Sequence, residues 1–119
     1  MRTLKLSTSD DLLLRLRWVA AMYGHIQADL AITGGVHTET DALKGIMAGA
    51  GAIQIVSALL ENGPRHLALI RRKMSEWMEQ HEYLSLGELQ GVMSLGRMPR
   101  PELYERTNYI HILQSWSRD

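Results

Sequence analysis

Thr33-Gly34-Gly35-Val36-His37-Thr38-Glu39-Thr40-Asp41 is the stretch that decides how this chain folds. It joins an apolar run, Ala28-Asp29-Leu30-Ala31-Ile32-Thr33, to a helical pattern, with two glycines at the junction. The run shows no polar alternation after Asp29, as in a parallel strand buried on both faces. Thr38 is the expected N-cap, with Asp41 three residues on, and Ala42, Leu43, Ile46 and Met47 give the helix one apolar side before it stops near Gly49. A second apolar run, Ala52 to Val56, repeats the hand-over with Ser57-Ala58 in place of the glycines. At both junctions backbone N–H groups can face an anion, because glycine carries no Cβ and a helix opens with unpaired N–H groups.

Upstream, Thr3-Leu4-Lys5-Leu6-Ser7 alternates weakly and reads as a short strand. Thr8-x-x-Asp11 has capping-box spacing, and a helix is expected from about Asp10 to Tyr23, closed by Gly24. Its apolar residues, Leu12, Leu13, Leu14, Leu16, Trp18, Val19, Ala20 and Met22, form more than one stripe, so cover is expected on more than one side.

Downstream, Ser57 to Gly63 is long enough for a short extra helix, and Pro64 suits the first position of the next one. That helix, to about His81, spaces Leu67, Ile70, Met74, Trp77 and Met78 along one side, with Arg71-Arg72-Lys73 opposite. Ser85-x-x-Glu88 caps a short helix through Met93. Gly96 to Pro101 breaks the pattern, and Glu102 to Trp116 reads as a terminal helix.

Strands alternating with helices imply parallel pairing and an α/β fold. About three βα units are present, whereas a closed (β/α)8 TIM barrel needs on the order of 250 residues. The expected architecture is therefore the C-terminal part of a TIM barrel over residues 1–98, followed by a C-terminal helical tail over 99–119. A partial barrel leaves two sheet edges open, to be covered by the remainder of the barrel, a partner chain or self-association.

Composition narrows the function. A hydrophobic fraction of 45% with 22% charged residues excludes wholesale disorder. Thirteen basic residues balance thirteen acidic ones and the pI is near 7.0, so no overall field draws the chain to nucleic acid or to an anionic membrane. The absence of cysteine excludes disulfides and thiolate chemistry and suits a cytoplasmic protein. No membrane span or signal peptide is legible. His25, His37, His66, His81 and His111 lack paired metal-ligand spacing, and Trp18, Trp77 and Trp116 read as core or interface residues.

In a (β/α)8 barrel, phosphate commonly sits on the loops after strands seven and eight and at a short extra helix, and this chain offers both in order. A plain tight turn at Gly34-Gly35 and a plain N-cap at Ser57 are the alternatives. Gly49-Ala50-Gly51 lies at the opposite end and reads as a helix C-cap.

The pattern Ala31-Ile32-Thr33-Gly34-Gly35-Val36-x5-Ala42-x6-Gly49-Ala50-x3-Gln54-Ile55-Val56-Ser57-Ala58-Leu59 resembles the FMN-phosphate segment of dihydroorotate dehydrogenases and dihydroorotate dehydrogenase-like proteins. The flanks, Leu6 to Asp10 through Arg17-Trp18 and Trp77-Met78-Glu79 through Glu82-Tyr83, are similar to the dehydrogenase-like branch. The likeness covers most of the chain and is least specific after Pro99. It implies that Thr33, Gly34 and Gly35 hold the FMN phosphate after the seventh strand, and Val56, Ser57 and Ala58 after the eighth. Ser7 and Thr8 would lie near the ribityl-phosphate end.

Two departures stand out. The family often has Gly-Thr where Val56-Ser57 stands, and the branch tends to have proline near Arg15. The resemblance also implies that the catalytic Ser or Cys base, the lysine near the flavin and the asparagines holding the pyrimidine lie upstream of this segment, leaving no catalytic residue here. The rival readings are the phosphate-binding part of another flavin or nucleotide barrel, and a non-catalytic assembly module.

Overall fold

The computed structural model describes residues 3–97. The expected terminal helix over Glu102 to Trp116 lies outside them. The described elements are α1 (Leu12–Met22), β1 (Ala31–Thr33), α2 (Glu39–Ala48), β2 (Ala52–Gln54), α3 (Ser57–Asn62), α4 (Arg65–Gln80) and α5 (Leu86–Leu89), with 3-10 turns at Ser9–Asp11 and Leu95–Arg97. The fold is α/β: β1 and β2 pair in parallel, Ala31 with Ala52, Ile32 with Ile53 and Thr33 with Gln54, and α2 links them as a βαβ unit. It is compatible with part of a (β/α)8 barrel.

Local chemistry accounts for the helix starts. Thr38 accepts a hydrogen bond from the Asp41 N–H at 3.2 Å, and Asp41 returns the favour to the Thr38 N–H at 3.2 Å, so Asp fills the role usually taken by Glu or Gln. Ser85 receives the Glu88 N–H at 3.3 Å, whereas Glu88 reaches back to the N–H of Leu84 rather than of Ser85. Pro64 stands one position earlier than expected, as the N-cap of α4.

The core has two connected parts. Leu12 and Val19 of α1 meet Ile32, Val36, Ala42 and Ile70. Leu43, Ile46 and Leu89 meet Met74, Trp77 and Met78 on the apolar side of α4. A side chain at Gly45 would put its Cβ 2.7 Å from Ile53 Cδ1 and 3.3 Å from Ile32 Cδ1, so glycine lets α2 settle closely on the sheet. At the C-terminal end of α2, the ring of Tyr23 fills the space that a Cβ would need at both Gly49 and Gly91. Gly91 and Met93 there donate N–H groups to the carbonyls of Ile46 and Met47, closing the C-terminus of α2.

Three expectations change. Thr3 to Ser7 carries no strand: Thr3, Leu4 and Lys5 are exposed, and the Ser7 N–H donates to Ser57 Oγ rather than to a ladder. The strands are covered on one face only. Ile32 is buried and Ile53 half-buried, but Ala31, Thr33, Ala52 and Gln54 are exposed. On α1, Leu12 and Val19 are buried while Leu13, Leu14 and Trp18 remain 67%, 63% and 58% exposed. Both outcomes have one cause: α1, α2 and α4 supply apolar cover on a single side of a two-stranded sheet. Among the described residues, no helix is long and apolar enough to cross a membrane.

Candidate functional site

Because β1 and β2 run in parallel, their C-terminal ends share one side of the molecule, where α2 and α3 begin. The start of α1 is there too, since a Cβ on Gly35 would lie 2.6 Å from the backbone nitrogen of Leu12. Gly34 and Gly35 have φ of 86° and 90°, values that L side chains rarely adopt. Gly35 is thus fixed twice, by its torsion and by the α1 backbone. At Gly34 the neighbour is softer: the Arg15 guanidinium, which also donates from Nη1 to the carbonyl oxygen of Asp11.

The two strand-to-helix junctions meet at Ser7. Its Oγ accepts the Gly35 N–H at 3.1 Å and donates to Ser57 Oγ at 3.0 Å, while its own N–H donates to Ser57 Oγ at 3.2 Å. Glycine turn and short helix are thereby tied to one hydroxyl from a segment 50 residues away from Ser57. In α3, Ala58 is buried and Ser57 half-buried, and their N–H groups lie in the first turn, where no intrahelical carbonyl reaches them. Val56, the N-cap of α3, is 63% exposed. Thr33 lines, with Arg15, Leu14 and Trp18, a cleft of about 380 Å³. Thr8 is not drawn in: its N–H donates to Asp11 Oδ2 at 2.8 Å.

Beneath the glycine turn lies Asp41, 7% exposed. One oxygen, Oδ2, accepts from Ser9 Oγ at 2.7 Å, His37 N at 3.0 Å and Thr38 N at 3.2 Å. Burial alone raises its pKa, but the Ser9 hydroxyl and the His37 and Thr38 amides outweigh it, and the carboxyl sits below its ordinary 3.8. His37, next on the turn, places Nδ1 3.8 Å from Glu61 of α3, and its carbonyl meets His66 Nε2 at 2.8 Å. Its Nε2 is buried without a hydrogen-bond partner among the described residues.

Sequence reasoning found the two junctions and the cap but not Arg15, Ser9 or the second role of Asp41. Nothing in the periodicity marks them. Ser9 and Asp41 are 32 residues apart, and Arg15 reads as one more polar position on a helix.

The sequence model of the family described as dihydroorotate dehydrogenase matches residues 14–78, which run from α1 through nearly all of α4 and include both junctions. Over 75 residues the chain is 33% identical to dihydroorotate dehydrogenase A (fumarate) of Lactococcus lactis subsp. cremoris (strain MG1363), covering 61% of this chain and 24% of that protein. Over 78 residues it is 33% identical to the putative dihydroorotate dehydrogenase A (fumarate) of Streptococcus agalactiae serotype Ia, covering 64% and 25%. The chain spans about a quarter of the length of these curated relatives. With the matched segment carrying the parallel strands and both junctions, this chain belongs to the dihydroorotate dehydrogenase family.

Proposed function

We propose that this chain supplies the FMN-phosphate-binding segment of a dihydroorotate dehydrogenase-like oxidoreductase built on a (β/α)8 barrel, with residues 1–98 as barrel and 99–119 as tail. The observation that carries the reading is the Ser7 bridge. Gripping one phosphate from two loops requires both to converge on one point, and Ser7 lies within 3.1 Å of the Gly35 nitrogen and 3.0 Å of Ser57 Oγ. The residues fit: the positive φ of Gly34 and Gly35 makes the tight turn, and Ser57 and Ala58 present the opening turn of a helix.

In this reading Thr33, Gly34, Gly35, Val56, Ser57 and Ala58 hold the phosphate and so fix where the rest of the cofactor lies. When bound, FMN supplies a two-electron acceptor for pyrimidine-type redox chemistry. The catalytic base, the lysine near the flavin and the substrate asparagines belong to the remainder of the barrel, so this chain alone does not oxidise dihydroorotate. A cytoplasmic setting suits its cysteine-free composition.

The exposed face of α1 supports a covering partner, whether the remainder of the barrel, another chain or a second copy. Burying a Leu side chain is worth roughly 1.5–3 kcal/mol, and Leu13, Leu14 and Trp18 are all more than half exposed. Beside them, the edge of β1 that faces away from β2 has no strand partner among the described residues.

The test is to incubate the purified chain with FMN, pass it through a desalting column and record visible flavin absorbance, in parallel with riboflavin. Retention of FMN and not of riboflavin, without dihydroorotate turnover, is the expected result. Equal behaviour of the two flavins overturns the phosphate reading, and turnover comparable with that of full-length relatives overturns the placement of the catalytic base.

A further inference from the structure

Among the described residues, Arg15 carries a charge with no counter-charge, at the end of the molecule where both strands deliver their loops. Its Nη2, Cζ and Nε lie 2.9, 3.0 and 3.0 Å from where a Cβ on Gly34 would sit. Near-equal distances to three atoms of one planar group mean that the guanidinium lies face-on over the glycine turn. The bond from Nη1 to the Asp11 carbonyl holds it there. Among the described residues, no carboxylate lies within 4.0 Å of it.

The other charged groups around the junction work against an anion. Asp41 holds its carboxylate under the turn and occupies the His37 and Thr38 amides, and Glu61 of α3 faces His37 at 3.8 Å. The other donors near the junction, Gly35 N, Ser7 Oγ and Ser57 Oγ, are neutral, and the first two already donate within the Ser7 bridge. A phosphate monoester arriving beside these two carboxylates meets repulsion that neutral donors do not offset, whereas a nearby guanidinium does. Arginine also keeps its charge at any ordinary pH and offers paired N–H groups that match two phosphate oxygens.

We propose that Arg15 is the charged member of this anion site and contacts the phosphoryl group of the ligand held at Gly34-Gly35 and Ser57. This deepens the phosphate reading given above and rests on it. Arg15 selects for the phosphorylated form of the ligand over the unphosphorylated one, and Gly34 is required so that the guanidinium can lie over the turn.

The test titrates the full chain with FMN and with riboflavin, followed by flavin fluorescence, at low and raised salt, with inorganic phosphate as competitor. The native chain should prefer FMN, and phosphate should displace it. Arg15→Gln should weaken FMN binding about tenfold, leave riboflavin binding unchanged, flatten the salt dependence and blunt competition by phosphate. Arg15→Lys, which keeps the charge without the planar fork, should recover part of the loss. Thermal melts of the variants should match the native chain, since Arg15 is exposed. If the native chain prefers FMN and Arg15→Gln keeps both that preference and the native salt dependence, the role of Arg15 is overturned and the phosphate reading stands. If the native chain shows no preference, the phosphate reading falls and the role of Arg15 falls with it.

Discussion

Replacing Asp41 tests whether a single buried oxygen organises the glycine turn. All three of its long-range and turn contacts, from Ser9 Oγ, His37 N and Thr38 N, fall on Oδ2. Asp41→Asn can present its amide oxygen in that place and keep the geometry, losing only the charge, whereas Asp41→Ala removes the acceptor. A hydrogen bond to a charged group contributes about 1.5–3 kcal/mol and a neutral one about 0.5–1.5. Ser9 and Thr38 are exposed and can turn to water, so the three bonds do not add in full. Asp41→Ala should therefore cost about 2–4 kcal/mol and Asp41→Asn about 1–1.5 kcal/mol.

The acid limb supplies an independent check. Because the folded carboxyl titrates below 3.8, its stabilisation is complete above the unfolded value and is lost as pH falls through the folded value. The advantage of the native chain over Asp41→Asn should accordingly hold at neutral pH and shrink below about pH 4. Urea unfolding followed by tryptophan fluorescence measures both. Equal losses for Asn and Ala, or a gap that does not change on acidification, would refute the reasoning.

Three further outcomes follow from the geometry. Gly35→Ala should be markedly worse than Gly34→Ala in thermal melts, by about 1–3 kcal/mol, because the first meets the immovable Leu12 backbone and the second only the movable end of Arg15. Gly45→Ala should destabilise despite the better helix propensity of alanine, and Ile53→Val, which deletes the clashing Cδ1, should restore most of the loss in the double variant. Ser57→Ala removes the hydroxyl shared with Ser7 and should lower stability by about 0.5–1.5 kcal/mol, a loss that is smaller if Ser7→Ala is already present.

Much of the fold was legible because its signals are local. Thr38 with Asp41, Ser85 with Glu88, and Pro64 at the head of α4 are each read from residues within four positions of one another, and each marks a helix start in the structure. The two strands were legible as apolar runs, yet their two-sided burial was not realised. Residue type sets what a strand can bury, while the number of neighbouring layers sets what it does bury. The same holds for α1, whose surplus leucines and Trp18 remain exposed. At the candidate site, the glycines and Ser57 were legible as turn chemistry. Ser7 at their meeting point and Arg15 over Gly34 depend on chain segments that only the tertiary arrangement brings together, which periodicity cannot encode.

The ring of Tyr23 acts as a pin between three segments: the end of α1 that bears it, the C-terminus of α2 at Gly49, and the loop at Gly91. These glycines lie at the end remote from the two strand-to-helix junctions, so the molecule keeps its fastening and its candidate chemistry at opposite poles. Loops at one pole can vary in sequence without loosening the other. Hydrogen exchange should reveal the division, with the amides of Tyr23, Gly91 and Met93 opening as a single cooperative unit and the Gly35 amide opening independently of them.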